Sequence, residues 1–243
     1  MSKRRLCILG GCGGIGRSLA AAGPAAGYDV AVMDLEAALK RHPPPPGTLA
    51  IGIDGSDEAS VVQAFEAVRK HWGALDGFVN AAGFMIARRP LSETPADEFD
   101  STTKGNLRTT FLVCKAAMKL LEKGEAASLV NLASGLGAYI RPQFGPYAAA
   151  KAGIVGMTLP IARDLSVVGI RVNTIAPGLI DTPIYGEGDS AQQFKDRLAP
   201  NVLYPQRLGN PEEFASLALE LVTNSYMNAE TIRIDGGARL QPK

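Results

Sequence analysis

The chain has 243 residues, 46% hydrophobic and 20% charged, which is ordinary globular composition and enough to bury a substantial core. Its 25 basic and 24 acidic residues are scattered and leave a formal charge of +1, which argues against a general affinity for nucleic acid or anionic lipid. Cys7, Cys12 and Cys114 lack metal-ligand spacing, the apolar stretch 6–9 stops too soon for a signal core, and no run approaches the roughly eighteen residues of a membrane helix. The expectation is a soluble cytoplasmic protein with no metal site and no membrane or nucleic-acid partner.

The elements follow in alternation. Strands are expected at 5–9, 29–33, 49–53, 77–80, 128–132, 171–175 and 231–234, with helical patterns at 17–26, 56–70, 96–122, 147–167 and 211–222. Pro95 and Pro211 stand where a first helical turn accepts proline. This is the pattern of an α/β protein, a doubly wound Rossmann-type parallel sheet with helices on both faces, and the whole length reads as one domain. Two segments break it. Four prolines at 43–46 exclude a helix and favour an extended surface connection. Residues 177–209, rich in Pro and Gly beside the sheet's carboxyl edge, read as a substrate-binding lid.

Between the first strand and first helix runs Gly10-Gly11-Cys12-Gly13-Gly14-Ile15-Gly16. Glycines there allow a tight turn and let backbone N–H groups meet a pyrophosphate at the helix N-terminus, where the macrodipole favours negative charge. Asp34 ends the second strand, 18 positions after Gly16, close to the roughly 20 expected of an acidic residue that holds an adenosine ribose. Its carboxylate would repel a 2′-phosphate, and Cys12, Gly13 and Leu35 supply no compensating cation, so NAD is expected over NADP. Asp54 and the turn Asn80-Ala81-Ala82-Gly83 follow the third and fourth strands, at carboxyl ends where open α/β sheets bind ligands.

Tyr147 and Lys151 lie four apart at the start of a helix, which stacks phenol and ammonium on one face. A free phenol has a pKa near 10, and a neighbouring positive charge would lower it until it could both take and give a proton. Ser134 follows the fifth strand, and the loop after it can bring its hydroxyl beside Tyr147 to support charge on a substrate oxygen.

This combination resembles the compact single-domain branch of the short-chain dehydrogenase/reductase family over essentially the whole chain. Gly10, Gly14 and Gly16 match its glycine-rich turn, 80–83 its Asn-Asn-Ala-Gly, and Asp235-Gly236-Gly237 its closing strand. The resemblance implies a sheet ordered 3-2-1-4-5-6-7 and a homotetramer or homodimer. It implies catalytic roles for Asn106, Ser134, Tyr147 and Lys151, and cofactor contacts from Pro177, Gly178, Ile180 and Thr182 besides the residues above. Leu9 and Ala81 depart from the family's usual Thr and second Asn, which predicts altered cofactor affinity.

Residues 153–165, 169–172 and 174–179 are similar to type II 3-hydroxyacyl-CoA dehydrogenases, which also oxidise hydroxysteroids, although such core similarity reports ancestry more readily than substrate. Substrate contacts are expected from Ser134, Arg141, Phe144, Ile184 and Tyr185, with Phe194 and Leu198 in an apolar lid, and Arg88, Arg89 or Arg141 could meet acyl-CoA phosphates. The alternatives are a 3-oxoacyl-carrier-protein reductase and a non-catalytic nucleotide sensor on the same fold.

Overall fold

The computed structural model describes residues 3–85, 87–135 and 142–238. One sheet contains seven parallel strands: β1 Arg4–Leu9, β2 Tyr28–Asp34, β3 Leu49–Gly52, β4 Gly77–Asn80, β5 Ser128–Leu132, β6 Arg171–Pro177 and β7 Thr231–Ile234. Their order is β3-β2-β1-β4-β5-β6-β7. The winding reverses between β1 and β4, where Leu9 pairs in register with both Met33 and Asn80. That reversal leaves a crevice at the carboxyl ends, the place where open α/β sheets take ligands.

Helices α1 Gly14–Ala22, α2 Glu36–Arg41, α3 Glu58–Trp72, α4 Ala96–Thr103, α5 Thr109–Leu121, α6 Gly145–Ser166, α7 Asp189–Leu198 and α8 Pro211–Thr223 complete the framework. Both faces of the sheet are covered, so consecutive strand residues are apolar. In β1, Cys7 and Leu9 join Val61 and Phe65 of α3 and Leu112 of α5, whereas Leu6 and Ile8 join Leu19 of α1 and Phe214 of α8.

At the opposite edge, Asp76 is 1% exposed and ties three segments together. It accepts Arg5 Nε and Nη2 at 2.9 Å each, and the backbone N–H groups of Arg5 and Glu125 at 2.7 Å each. Burial pushes its pKa up, but the bonds from Arg5 and the two backbone donors outweigh that and hold it below its usual value. A depressed carboxylate stabilises the fold above its unfolded pKa, and the contribution disappears as pH falls through the folded one. Asp76→Ala strands Arg5 and the Glu125 N–H; the expected cost is roughly 3–5 kcal/mol. Thermal melts at pH 7 should show it, and the gap from the parent should narrow in acid.

The sequence expectations differ from the structure mainly at element ends. The pattern at 96–122 is α4 and α5 joined by a π-helical turn over Lys104–Arg108. The first helix stops at Ala22 and is followed by a 3₁₀ turn, Pro24–Ala26, that Gly27 closes with φ 87°. Helix α2, before the prolines, has no strong periodicity; Glu36 at its start and Lys40 and Arg41 at its end complement its dipole. Strand β6 runs two residues beyond its expected end because Pro177 pairs with Ile234, needing no N–H of its own there.

Candidate active site

The glycine turn is built by φ/ψ requirements and close approach. Gly10 has φ +75° and donates its N–H to the Met33 carbonyl at 2.8 Å, while any Cβ on Gly16 would collide with the Gly10 carbonyl oxygen. Helix α1 then begins at Gly14 with no side-chain cap and no acidic residue in its first turn. Its first N–H groups therefore meet the crevice without a side-chain partner, as an anion site requires.

Asp34 does not line the cavity; it closes the turn from behind. Its Oδ2 accepts the Cys12 N–H at 2.9 Å and its Oδ1 the Leu35 N–H at 2.8 Å. Leu35 is exposed, 54% of its surface open. Asp54 binds its own turn, accepting the Ser56 N–H and hydroxyl at 2.9 and 2.8 Å. Asn80 is buried and spans the strand ends, donating to Thr110 at 3.1 Å and Asn131 at 3.4 Å and accepting the Ala82 N–H at 3.3 Å. The expected cofactor contacts Leu35, Asp54, Asn80 and Ala82 therefore do not line the crevice, whereas Ala81 and Gly83 do.

The crevice is a cavity of about 1590 Å³. Drug-sized ligands occupy roughly 300–1,000 Å³, so there is room for a dinucleotide and a substrate together. Gly10, Cys12, Gly13, Gly14, Ile15 and Gly16 line one end; Pro177, Gly178, Ile180 and Thr182 line the side beyond β6. The two sides meet where a Cβ on Gly14 would lie 2.7 Å from Thr182 Cβ. Size, glycine lining and uncapped helix start together fit a dinucleotide.

Ser134, Phe144, Tyr147, Lys151, Ile184 and Tyr185 line the rest, so the expected catalytic and substrate residues share one cavity with the glycine turn. Arg141 lies outside the described residues. Lys151 is 1% exposed; its Nζ donates to the Leu132 carbonyl at 2.9 Å and sits 5.8 Å from the Tyr147 ring centre. A Cβ on Gly83 would lie 2.8 Å from Lys151 Nζ and 2.9 Å from Asn106 Oδ1, which brings Asn106 to the rear of the same cluster. Asn106 is buried there because the π-turn projects it inward: Nδ2 donates to the carbonyls of Thr102 and Phe84 at 2.9 Å each.

The electrostatics differ from the sequence expectation. Burial raises the Tyr147 pKa, a hydrogen bond with Ser134 pulls it partly back, and the net direction is upward. The reason lies in Lys151, whose own pKa burial lowers from 10.5 to about 7. A half-discharged amine aimed at a carbonyl acidifies a phenol weakly.

Sequence reasoning missed Arg17, His42, Phe84, Met85 and Asn201, all of which line the cavity. His42 arrives there because α2 ends against the turn, with Cys12 Sγ donating to the His42 carbonyl at 3.5 Å. Phe84 and Met85 directly follow the 80–83 turn, and that adjacency was the available signal. Among the described residues no cluster of His, Cys, Asp or Glu could hold a metal ion, and no helix is long and apolar enough to cross a membrane.

Residues 11–239 match the family model described as Enoyl-(Acyl carrier protein) reductase. The chain is 34% identical over 251 residues to the 3-hydroxyacyl-CoA dehydrogenase type-2 of Drosophila melanogaster, covering 97% of each. A solved short-chain type dehydrogenase/reductase from Mycobacterium ulcerans superposes with a TM-score of 0.86 at 26% identity, over 98% of this chain and 90% of that one. The structure of ElxO with NADP bound superposes at 0.89, again at 26% identity, over 98% and 100%. Fold, site and relatives define an oxidoreductase that acts on CH–OH donors with a nicotinamide cofactor. The chain belongs to the short-chain dehydrogenase/reductase family.

Proposed function

We propose that this chain is an NAD-dependent dehydrogenase that interconverts a 3-hydroxyacyl thioester of coenzyme A and its ketone, as a single domain with 177–209 as its lid. The observation that carries the reading is one cavity lined by the glycine turn, Ser134, Tyr147 and Lys151. The cofactor supplies hydride exchange at its nicotinamide ring. Tyr147 Oη takes the alcohol proton or gives it to the ketone, and Ser134 Oγ donates to the substrate oxygen as charge gathers on it. Lys151 Nζ, poised near neutrality by burial, passes protons between Tyr147 and the Asn106 side of the cavity. Pro177, Gly178, Ile180 and Thr182 hold the cofactor along the β6 side. Ile184, Tyr185 and Phe144 enclose the acyl chain; the ring contact of Tyr185 with Phe194, 6.1 Å between centres, and the Lys195–Asp181 ion pair at 2.6 Å brace the lid. A neutral hydroxysteroid would use the same apolar walls.

NAD is proposed over NADP because the Asp34 carboxylate ends β2 directly behind the glycine turn, bonded to the Cys12 and Leu35 N–H groups. Two unit charges about 4 Å apart repel by roughly 1 kcal/mol in water and about 4 kcal/mol near a protein surface, so tenfold discrimination needs little geometry. Three free buried thiols suit the cytoplasm, and exposed Phe99, Phe111 and Leu159 suit burial in a homodimer or homotetramer. The test is turnover of 3-hydroxybutyryl-CoA with NAD and NADP, followed by nicotinamide absorbance. NAD should lead by about tenfold or more in kcat/KM, and Asp34→Ala should shrink that lead. A parent enzyme equally fast with NADP sinks the cofactor assignment.

A further inference from the structure

The cavity wall carries one sign of charge. Among the described residues that line it, the ionisable side chains that can be cationic are Arg17, His42, Arg88 and Lys151, and there is no Asp or Glu. Low-dielectric walls of one sign raise the local concentration of the opposite sign. Arg17 and His42 flank the glycine turn and Lys151 belongs to the reaction centre. Of these described residues, Arg88 is the one at the substrate end.

Its surroundings set it apart from its neighbour. Arg89 is committed to an ion pair with the buried Glu98, 3.1 Å away. Arg88 Cζ instead lies 4.9 Å from the ring centre of Phe144, one residue before α6 and three before Tyr147. Stacking on a ring orders a guanidinium without using its five N–H donors, and no carboxylate among the described residues uses them. The ring face thereby joins the loop after β4 to the start of α6 and holds a cation beside the mouth. The remaining wall there is apolar: Met85, Pro142, Ile184 and Phe194.

We propose that Arg88 is a specificity-determining residue that anchors an anionic group on a substrate whose reactive end is apolar. The anion is a phosphate or a carboxylate, both of which match the guanidinium fork. The assignment rests on the oxidoreductase reading and names the substrate property that reading leaves open. It also separates acyl-CoA, which carries phosphates, from a neutral hydroxysteroid, which offers the fork nothing.

The test uses Arg88→Gln and Arg88→Lys in the full chain. With NADH, kcat/KM is measured for acetoacetyl-CoA, for acetoacetate, and for the uncharged N-acetylcysteamine thioester of acetoacetate. Titration calorimetry with CoA and with uncharged pantetheine, at saturating NAD, reads binding without turnover. Arg88→Gln should lose about tenfold or more on at least one anionic substrate, chiefly through KM, and far less on the neutral thioester; Arg88→Lys should recover part of the loss. Loss on acetoacetyl-CoA with weakened CoA binding identifies phosphate, and loss confined to acetoacetate identifies carboxylate. Equal losses on charged and neutral substrates, or none, overturn the proposal. A parent that reduces no ketone overturns the enzyme reading instead, and Arg88-dependent CoA binding would still uphold the anion site.

Discussion

Tyr147→Phe should lose roughly 10²–10⁴-fold in kcat while still binding the nicotinamide cofactor, because the phenol oxygen is the group proposed to exchange the substrate proton. The substitution keeps the ring and its packing, and only the hydrogen bond with Ser134 is removed. Melting should therefore change little, which separates lost chemistry from lost fold. The pH dependence follows from the direction of the proton. Oxidation needs the phenolate, whose pKa burial raises above the usual 10, so oxidation should keep climbing into alkaline solution. Reduction needs the phenol and should weaken over the same range. Steady-state rates in both directions at several pH values check this; a Tyr147→Phe enzyme within a few-fold of the parent removes the phenol from the mechanism.

Lys151→Met is the second large effect, and it should act in opposite senses on activity and stability. Turnover should fall by about a hundredfold or more, since the variant removes the buried amine beside Tyr147 that is proposed to pass the proton on. Stability at low pH should rise. Each pKa unit is worth about 1.4 kcal/mol, so a fall from 10.5 to about 7 represents several kcal/mol of strain on the buried charge. Below pH 7 the amine is protonated in both folded and unfolded chains and the penalty is complete. Between about 7 and 10.5 the unfolded chain holds a proton that the folded one has released, so the parent gains stability as pH rises. The Met variant has no such titration, and its advantage in Tm should be greatest near pH 6 and shrink by pH 9. A variant less stable than the parent at both values would mean that the bond to Leu132 outweighs the buried charge.

Much of this architecture was legible in the chain. Strand β1 and its glycine turn announce themselves because a buried parallel strand must be uniformly apolar and a pyrophosphate turn must lack side chains. Tyr147 and Lys151 were visible through helical spacing and gained meaning from Ser134 and the resemblance. What stayed hidden depends on distance between loops: His42 reaches the cavity by way of a six-residue helix, and the ring that orders Arg88, already one of three candidate anion contacts, lies 56 positions later. The weak influence of Lys151 on Tyr147 was hidden for a related reason. Spacing fixes which side chains are neighbours, but burial decides how much charge one of them retains.

The five residues at 104–108 carry a final consequence. A wide turn of that kind accommodates one residue more than ordinary helical hydrogen bonding does, so the extra residue is absorbed with little rotation of the helix that follows. Shortening this stretch by one would restore the usual ladder with Leu112 and Ala117 still against the sheet, and Asn106 would lose its inward projection. A single-residue deletion here should therefore cost turnover far more than melting temperature, whereas one among the prolines at 43–46 should cost neither, a contrast that a library of single-residue deletions would read directly.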